Sequence, residues 1–312
     1  MTHAFVFPGQ GSQSVGMQAD LQASYPIVRQ TYDEASESLG FDLWDLVQNG
    51  PKERLDETVN TQPAMLTAGV ATWRAWQAAG GKDPAMMAGH SLGEYAALVC
   101  SGALEFAEAV ALVRRRAELM HNAVPAGEGA MAAVLGLENE AIEALCRQAS
   151  AAEGVVEPVN FNSPGQVVIA GHRVAVERLL ELAKEAGARR ALLLPVSVPA
   201  HSSLMRPAAE VLASDLAEAG FEAPLIPVVC AVDGTSYGDG EDVRQRMQQQ
   251  VDSPVRWVDT VNYMVGAGAA SIIECGPGKV LTGLIRRIDR SIDATCIDTA
   301  DALQNAITGA MK

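Results

Sequence analysis

The sequence predicts an α/β protein built on a largely parallel sheet, with a smaller unit inserted into it. Three observations lead there. Short runs rich in Val and Ile alternate with helix-length amphipathic segments, the pattern of strands joined by crossover helices. Between Gly129 and Pro195 that rhythm changes to a compact series of four strands and two helices. The chain has 312 residues, 48% of them hydrophobic, close to the roughly 250–300 residues at which a single core stops growing, so a large unit with a smaller one appended is expected.

The expected strands of the large unit are Ala4–Phe7, Ala85–Gly89, Ile226–Ala231, Ser271–Glu274 and Ala294–Ile297. In the insert the expected order is strand Ala130–Leu135, helix Glu138–Ser150, strand Val155–Asn160, strand Gln166–Ala170, helix Val174–Gly187 and strand Ala191–Pro195. This βαββαβ order is the ferredoxin-like split βαβ motif. Pro125-Ala126-Gly127-Glu128-Gly129 marks its entry and Pro195 to Pro199 its exit, because Gly and Pro punctuate the chain where regular structure must stop. The expected division is a large unit over 1–126 and 197–312 around a small one over 127–196. One continuous doubly wound sheet is the alternative.

Charge and cysteine usage limit the function. With 23 Lys+Arg against 38 Asp+Glu the net charge is −15. Binding to nucleic acid or to an anionic membrane is therefore not expected, since both need a basic surface. Cys100, Cys146, Cys230, Cys275 and Cys296 are odd in number and scattered, without a C-x-x-C pair; neither a disulfide scaffold nor a zinc cluster is expected, and no metal. The N-terminal residues Met1 to Gly9 lack the basic and apolar regions of a signal peptide, and no apolar run reaches the ~18 residues of a membrane span. A cytoplasmic protein in a reducing compartment is the expectation.

Gly89-His90-Ser91-Leu92-Gly93 fits G-x-S-x-G between the apolar run Ala85-Met86-Met87-Ala88 and the helical segment Glu94 to Val99. So sharp a strand-to-helix turn needs small residues around a strained serine. It presents the Ser91 hydroxyl over a helix N-terminus and aims the Leu92 N–H at any oxyanion formed there. A tight turn whose serine only caps the helix would show the same pattern. A nucleophilic serine needs a base. His3 is terminal, His90 lies inside the turn, His121 ends a helix and His172 sits at a strand–helix junction of the insert. His201 lies on the Pro-bearing loop from Ser197 to Ser203, the kind of segment that carries function. No aspartate occurs between Ser91 and His201, so an Asp-supported triad in hydrolase order is excluded with His201 as base. A dyad held by a backbone carbonyl or amide is expected instead, and it suits acyl transfer at a thioester, whose thiol leaves with little help.

The helix Glu105 to Met120 carries Arg114, Arg115 and Arg116 in succession. At ~100° per residue, Ala109, Leu112, Val113, Ala117 and Met120 share one face, and Arg116 falls in the middle of it. A guanidinium keeps its proton, so a buried Arg116 requires a carboxylate or a rich set of acceptors. That carboxylate is either internal or brought by the substrate.

Three further segments complete the pattern: Phe7-Pro8-Gly9-Gln10-Gly11-Ser12-Gln13 after the first strand, Thr61-Gln62-Pro63-Ala64 opening a helix, and Asn160-Phe161-Asn162-Ser163-Pro164-Gly165-Gln166 between two strands of the insert. With the elbow and Glu94-Tyr95, Arg116, His201, Gln250 to Trp257 and Glu274-Cys275-Gly276-Pro277-Gly278, they make the whole chain resemble the malonyl-CoA:acyl carrier protein transacylases of fatty-acid synthesis. The resemblance implies an α/β-hydrolase-like large unit with a ferredoxin-like small one. It implies Ser91 as nucleophile, His201 as base, and the backbone N–H groups of Gln10 and Leu92 as the oxyanion hole. Arg116 would clamp the malonyl carboxylate, Gln62 would line the pocket, and Gln250 would orient His201 through its backbone carbonyl. Malonyl-CoA would be the substrate, with no tightly bound cofactor, and acyl carrier protein the acceptor. Carrier proteins are acidic, so docking needs local basic residues, for which Arg189, Arg190, Arg286 and Arg287 are the candidates. A serine thioesterase or esterase, and a non-catalytic acyl or carrier-protein binding module, are the rival readings.

Overall fold

The computed structural model describes residues 2–196 and 198–310. Among the described residues nine strands form two sheets. They are β1 (His3–Phe7), β2 (Met86–Gly89), β3 (Gly129–Leu135), β4 (Val156–Ser163), β5 (Gln166–His172), β6 (Arg190–Leu193), β7 (Val228–Val229), β8 (Ser271–Glu274) and β9 (Asp293–Cys296). The first sheet has the order β7-β2-β1-β8-β9 and its pairs are parallel; the second has the order β4-β5-β3-β6 and is antiparallel. Two separate sheets rule out one continuous doubly wound sheet, and the order of the second is that of a ferredoxin-like unit.

A parallel sheet covered on both faces is apolar along its whole length rather than alternately. In β1 every residue is buried. Phe5 and Phe7 pack into a core with Trp73 and Trp76, while Ala4 and Val6 pack on the other face with Trp257. The small sheet does alternate. Ala130, Ala132 and Val134 of β3 face the helices Asn139–Glu153 and Arg173–Glu185. Met131, from the opposite face, packs with Val159 and Val168 against Leu194, Val196 and Ala200, which turns that face toward the large sheet. The two units are also stitched by backbone: the Val255 N–H donates to the Val159 carbonyl and the Phe161 N–H to the Val255 carbonyl, each at 2.9 Å.

Several expected boundaries shift, β4 running on to Ser163, β5 to His172 and the helix after β3 to Glu153, and three shift at prolines. Ile226–Ala231 shortens to the two residues of β7, because Pro227 has no N–H to give and the chain turns from Cys230 to Thr235. The last strand of the insert ends at Leu193, two residues before Pro195. The helix carrying Gln62 starts at Thr58 instead of near Pro63, and Pro63 lies inside it. A proline there leaves the carbonyl four residues back without its helical donor; that carbonyl, of Val59, accepts from Arg114 Nη1 at 2.9 Å.

Candidate active site

The elbow forms where β2 runs into the helix Gly93–Cys100. Ser91 has φ +53°, a left-handed backbone that L-residues adopt at a cost. Glycines on both sides permit it. A Cβ on Gly89 would lie 2.0 Å from the Glu94 nitrogen, and one on Gly93 2.0 Å from the Phe7 carbonyl oxygen. The loop after β1 approaches just as closely, since a Cβ on Gly9 would meet the His90 carbonyl oxygen at 2.6 Å and the Leu92 nitrogen at 3.8 Å. Gln10 and Leu92 are thereby neighbours across the elbow, and among the described residues neither N–H has a protein acceptor. The Gln10 side chain is held away by Thr58, whose hydroxyl donates to Gln10 Oε1 at 3.0 Å.

Ser91 Oγ lies 2.6 Å from His201 Nε2, and His201 Nδ1 lies 2.8 Å from the Gln250 carbonyl oxygen. A carbonyl can only accept, so Nδ1 carries the proton and Nε2 is left to accept from the serine. Burial, with the Arg116 charge as the next cause, pushes the imidazole down to about 3; it is uncharged throughout the neutral range. No carboxylate is needed for its orientation, as the missing aspartate implied.

Arg116 lies on the helix Phe106–Asn122, on the buried face with Ala109, Leu112, Val113, Ala117 and Met120, as the helical period predicts. It is 2% exposed. Among the described residues it forms no ion pair; Nη1 donates to Gln62 Oε1 at 2.7 Å and Nη2 to Gln250 Oε1 at 2.9 Å, while Nε is buried without a partner. Two amide oxygens satisfy part of a five-donor fork and none of its charge. The neighbouring arginines behave otherwise, Arg114 pairing with Glu118 and Arg115 with Asp215 at the surface.

Ser91, His201 and Arg116 face one cavity of about 550 Å³ between the two sheets, with Met131 and Val168 of the small sheet on its other wall. Three of the remaining four histidines have other tasks. His90, half-buried in the elbow, contacts Asn162 Oδ1 at 2.8 Å and so ties the elbow to β4. His3 contacts the Lys82 carbonyl, and His172 Nδ1 accepts from the Val155 N–H. The four arginines expected at the carrier-protein surface are exposed, and sheet order relates two of them: Arg190 pairs with Leu135, Leu135 with Gln166, and Gln166 Oε1, at the cavity's edge, accepts from Arg287 Nη1 at 2.6 Å. Arg286 is partly committed, donating to the Ala294 carbonyl at 2.7 Å.

Two contacts were absent from the sequence reading. The Gln250 side chain, beyond its carbonyl, donates from Nε2 to the Ser91 carbonyl at 2.9 Å and to Glu94 Oε2 at 2.6 Å. Glu94 itself is fully buried. Among the described residues no group of three His, Cys, Asp or Glu could hold a metal ion, and no helix is long and apolar enough to cross a membrane.

The two-sheet architecture with its interposed cleft is that of the α/β acyltransferases. The chain matches the acyl transferase domain family over residues 4–312 and belongs to it. It is 56% identical over 305 residues to the malonyl CoA-acyl carrier protein transacylase of Escherichia coli K12, covering 97% of this chain and 98% of that one. It superposes on the malonyl CoA-acyl carrier protein transacylase of Coxiella burnetii with TM-score 0.97 and 50% identity, covering 99% of this chain and 97% of the other. A malonyl-transacylase solved in complex with a type II PKS acyl-carrier protein matches with TM-score 0.98 and 50% identity over 99% of this chain and 100% of that one.

Proposed function

We propose that this enzyme transfers the malonyl group of malonyl-CoA to the thiol of acyl carrier protein in fatty-acid synthesis, through a malonyl-Ser91 intermediate. The observation that carries the reading is the buried Arg116 guanidinium without a carboxylate, facing the same cavity as the Ser91–His201 pair. A cation so placed has no carboxylate in contact, and an acidic acyl group supplies one.

In the first half-reaction His201 Nε2 takes the Ser91 proton as Oγ attacks the thioester carbonyl carbon. The oxyanion is held by the Gln10 and Leu92 N–H groups, each donor of this kind contributing ~10²–10³ in rate. The C–S bond breaks, His201 returns the proton to the departing thiolate, and CoA leaves. In the second half-reaction His201 takes the proton of the carrier-protein thiol, the sulfur attacks malonyl-Ser91, and the proton returns to Ser91 as the ester breaks. Gln62 and Gln250 hold the guanidinium from the cavity's inner end. Malonyl-CoA is a substrate, and the cycle uses no bound cofactor. The division into 1–126 with 197–312 and 127–196 belongs to the same proposal; boundary residue 197, with 311 and 312, lies outside the described residues. It is supported by the small sheet's strands all falling between Gly129 and Leu193. A cytoplasmic location is supported by cysteines that are all free, four of them buried.

Intact-mass measurement after mixing with malonyl-CoA tests the function. A malonyl adduct that persists in water and discharges on addition of carrier protein is expected. Continuous release of CoA without an acceptor would establish a thioesterase, and absence of any adduct a binding module.

We place carrier-protein docking on Arg189, Arg190, Arg286 and Arg287, all exposed on an otherwise acidic chain, with Arg287 joined through Gln166 to the cavity's edge. Reversing Arg189, Arg190 and Arg287 to glutamate is expected to raise the KM for carrier protein about tenfold or more at low salt and to leave the KM for malonyl-CoA unchanged, because steering acts on the charged partner and weakens with ionic strength. Equal changes in both constants would remove the patch.

A further inference from the structure

Glu94 is a buried acid for which the reaction as described has no use. Glu274, the other acid in the core, has a structural task, accepting from the Leu281 and Thr282 N–H groups at the start of the helix Val280–Ile288. Glu94 caps nothing of this kind. Its Oε1 accepts from the Tyr237 hydroxyl at 2.7 Å and the Ala231 N–H at 3.0 Å, and its Oε2 from Gln250 Nε2 at 2.6 Å. Among the described residues it has no cationic side chain in contact.

We propose that Glu94 is a positioning residue of the acyl site, whose carboxylate fixes the Gln250 amide so that Oε1 faces Arg116 and the guanidinium is presented to the acyl group. An amide has two orientations that packing scarcely distinguishes. As found, Gln250 gives Nε2 to Glu94 and to the Ser91 carbonyl, and Oε1 to Arg116. Turned over, it would set NH₂ against a guanidinium and oxygen against a carboxylate, two donors facing and two acceptors facing, in a site where unpaired polar groups are costly. The Glu94 carboxylate acts with the Ser91 carbonyl and the guanidinium to fix the first of the two. All three of its contacts can come from donors, so this cage favours the anion against the burial that raises the Glu94 carboxyl.

The relay also explains why the counter-charge sits one residue away from the arginine. A carboxylate in direct contact with Arg116 would satisfy the fork and compete with the substrate. With Gln250 interposed, Arg116 feels a compensating charge while Nε and the free Nη protons stay available. Gln250 further links the acyl-recognition end to the chemistry, since its carbonyl holds His201.

The inference rests on the proposed malonyl transfer, and the experiment separates the two. Acylation by malonyl-CoA and by acetyl-CoA is measured for the wild type first; failure to form malonyl-enzyme there removes the function itself. Glu94→Gln keeps size and shape but lets the Gln250 amide turn over. The expected result is a fall in the malonyl-to-acetyl ratio of kcat/KM by about 10–100-fold, the range carried by one hydrogen bond to a charged group. Glu94→Asp, which stretches the contact to Gln250, is expected to lower the ratio in the same direction by about threefold or more, and it carries the test should Glu94→Gln not fold. In a Gln250→Leu background Glu94→Gln should change the ratio no further, because a residue acting through Gln250 has nothing left to act on. A ratio unchanged in the folded variants, with both acyl groups slowed in proportion, or an undiminished effect in the Gln250→Leu background, overturns the proposal.

Discussion

Ser91→Ala is expected to abolish malonyl-enzyme formation and to lower transfer to carrier protein by at least about 10⁴-fold, the scale on which loss of a covalent nucleophile is felt. The substitution removes one oxygen from a turn whose geometry is set by its neighbours: Gly89 and Gly93 hold the backbone in contacts that admit no Cβ. The fold should therefore survive, with a melting temperature within a few degrees of the wild type. No cysteine lines the cavity, and the other hydroxyls that do, Ser12 and Thr58, have no imidazole beside them, since among the described residues the only hydroxyl that His201 contacts is that of Ser91 and the Thr58 hydroxyl donates to Gln10. Because the serine and its base act as a unit, Ser91→Ala with His201→Ala should cost no more than Ser91→Ala alone. CoA release in a rapid-mixing burst, read beside intact mass, checks both statements. A malonyl adduct of undiminished yield in Ser91→Ala would place the nucleophile elsewhere.

Much of this site is legible in the chain because its constraints are local. The elbow is written in five residues, as only small residues tolerate the approach of Phe7 and Glu94 to the turn. Arg116 stands out because a helix repeats every 3.6 residues and the third of three successive arginines falls back on the apolar face; of the three the structure buries only Arg116, with the rest of that face. His201 emerges by elimination among five histidines, and the lack of an intervening aspartate points to a backbone carbonyl or an amide as its support; the structure uses the carbonyl of Gln250. The relay through Glu94 was not legible. An acid in the first turn of a helix reads as a favourable partner of the helix dipole, and nothing in Gly93-Glu94-Tyr95 tells that Ala231, Tyr237 and Gln250, each over a hundred residues away, will close over it. The relation between Arg190 and Arg287 was hidden for the same reason, since it depends on which strands are neighbours rather than on sequence spacing. Strand ends and helix starts shifted where prolines lie, because what a proline does depends on whether a distant donor, such as Arg114 at the Val59 carbonyl, is there to replace its missing N–H.

Arg116→Ala is expected to invert the acyl preference. For malonyl-CoA, kcat/KM should fall by about 10²–10³, the cost of leaving one member of a buried charged pair without its partner. For acetyl-CoA it should rise, and two features of the structure give the reason. The first is desolvation: with acetyl bound, the wild-type cavity closes a methyl group against a guanidinium whose Nε already lacks a partner, and such a mismatch can support discrimination of ~10⁴–10⁵ when the expected polar group is missing. Removing the cation removes the mismatch. The second is the base itself. Burial is the main cause that brings His201 down to about 3, and the Arg116 charge adds to it, so a carboxylate that offsets that charge makes the imidazole a stronger base. A malonyl group supplies the carboxylate and an acetyl group does not. In the proposed mechanism the right substrate both binds the clamp and raises the basicity of the imidazole that takes the Ser91 proton, which puts part of the selectivity in kcat as well as in KM. With alanine at 116 the imidazole is relieved for either substrate, and acetyl-enzyme formation should gain in kcat. Acylation rates measured at saturating and at low concentrations of each thioester separate the two effects. A malonyl-to-acetyl ratio unchanged from the wild type would refute the clamp, and a ratio that fell entirely through KM would leave the clamp standing and remove its hold on the base.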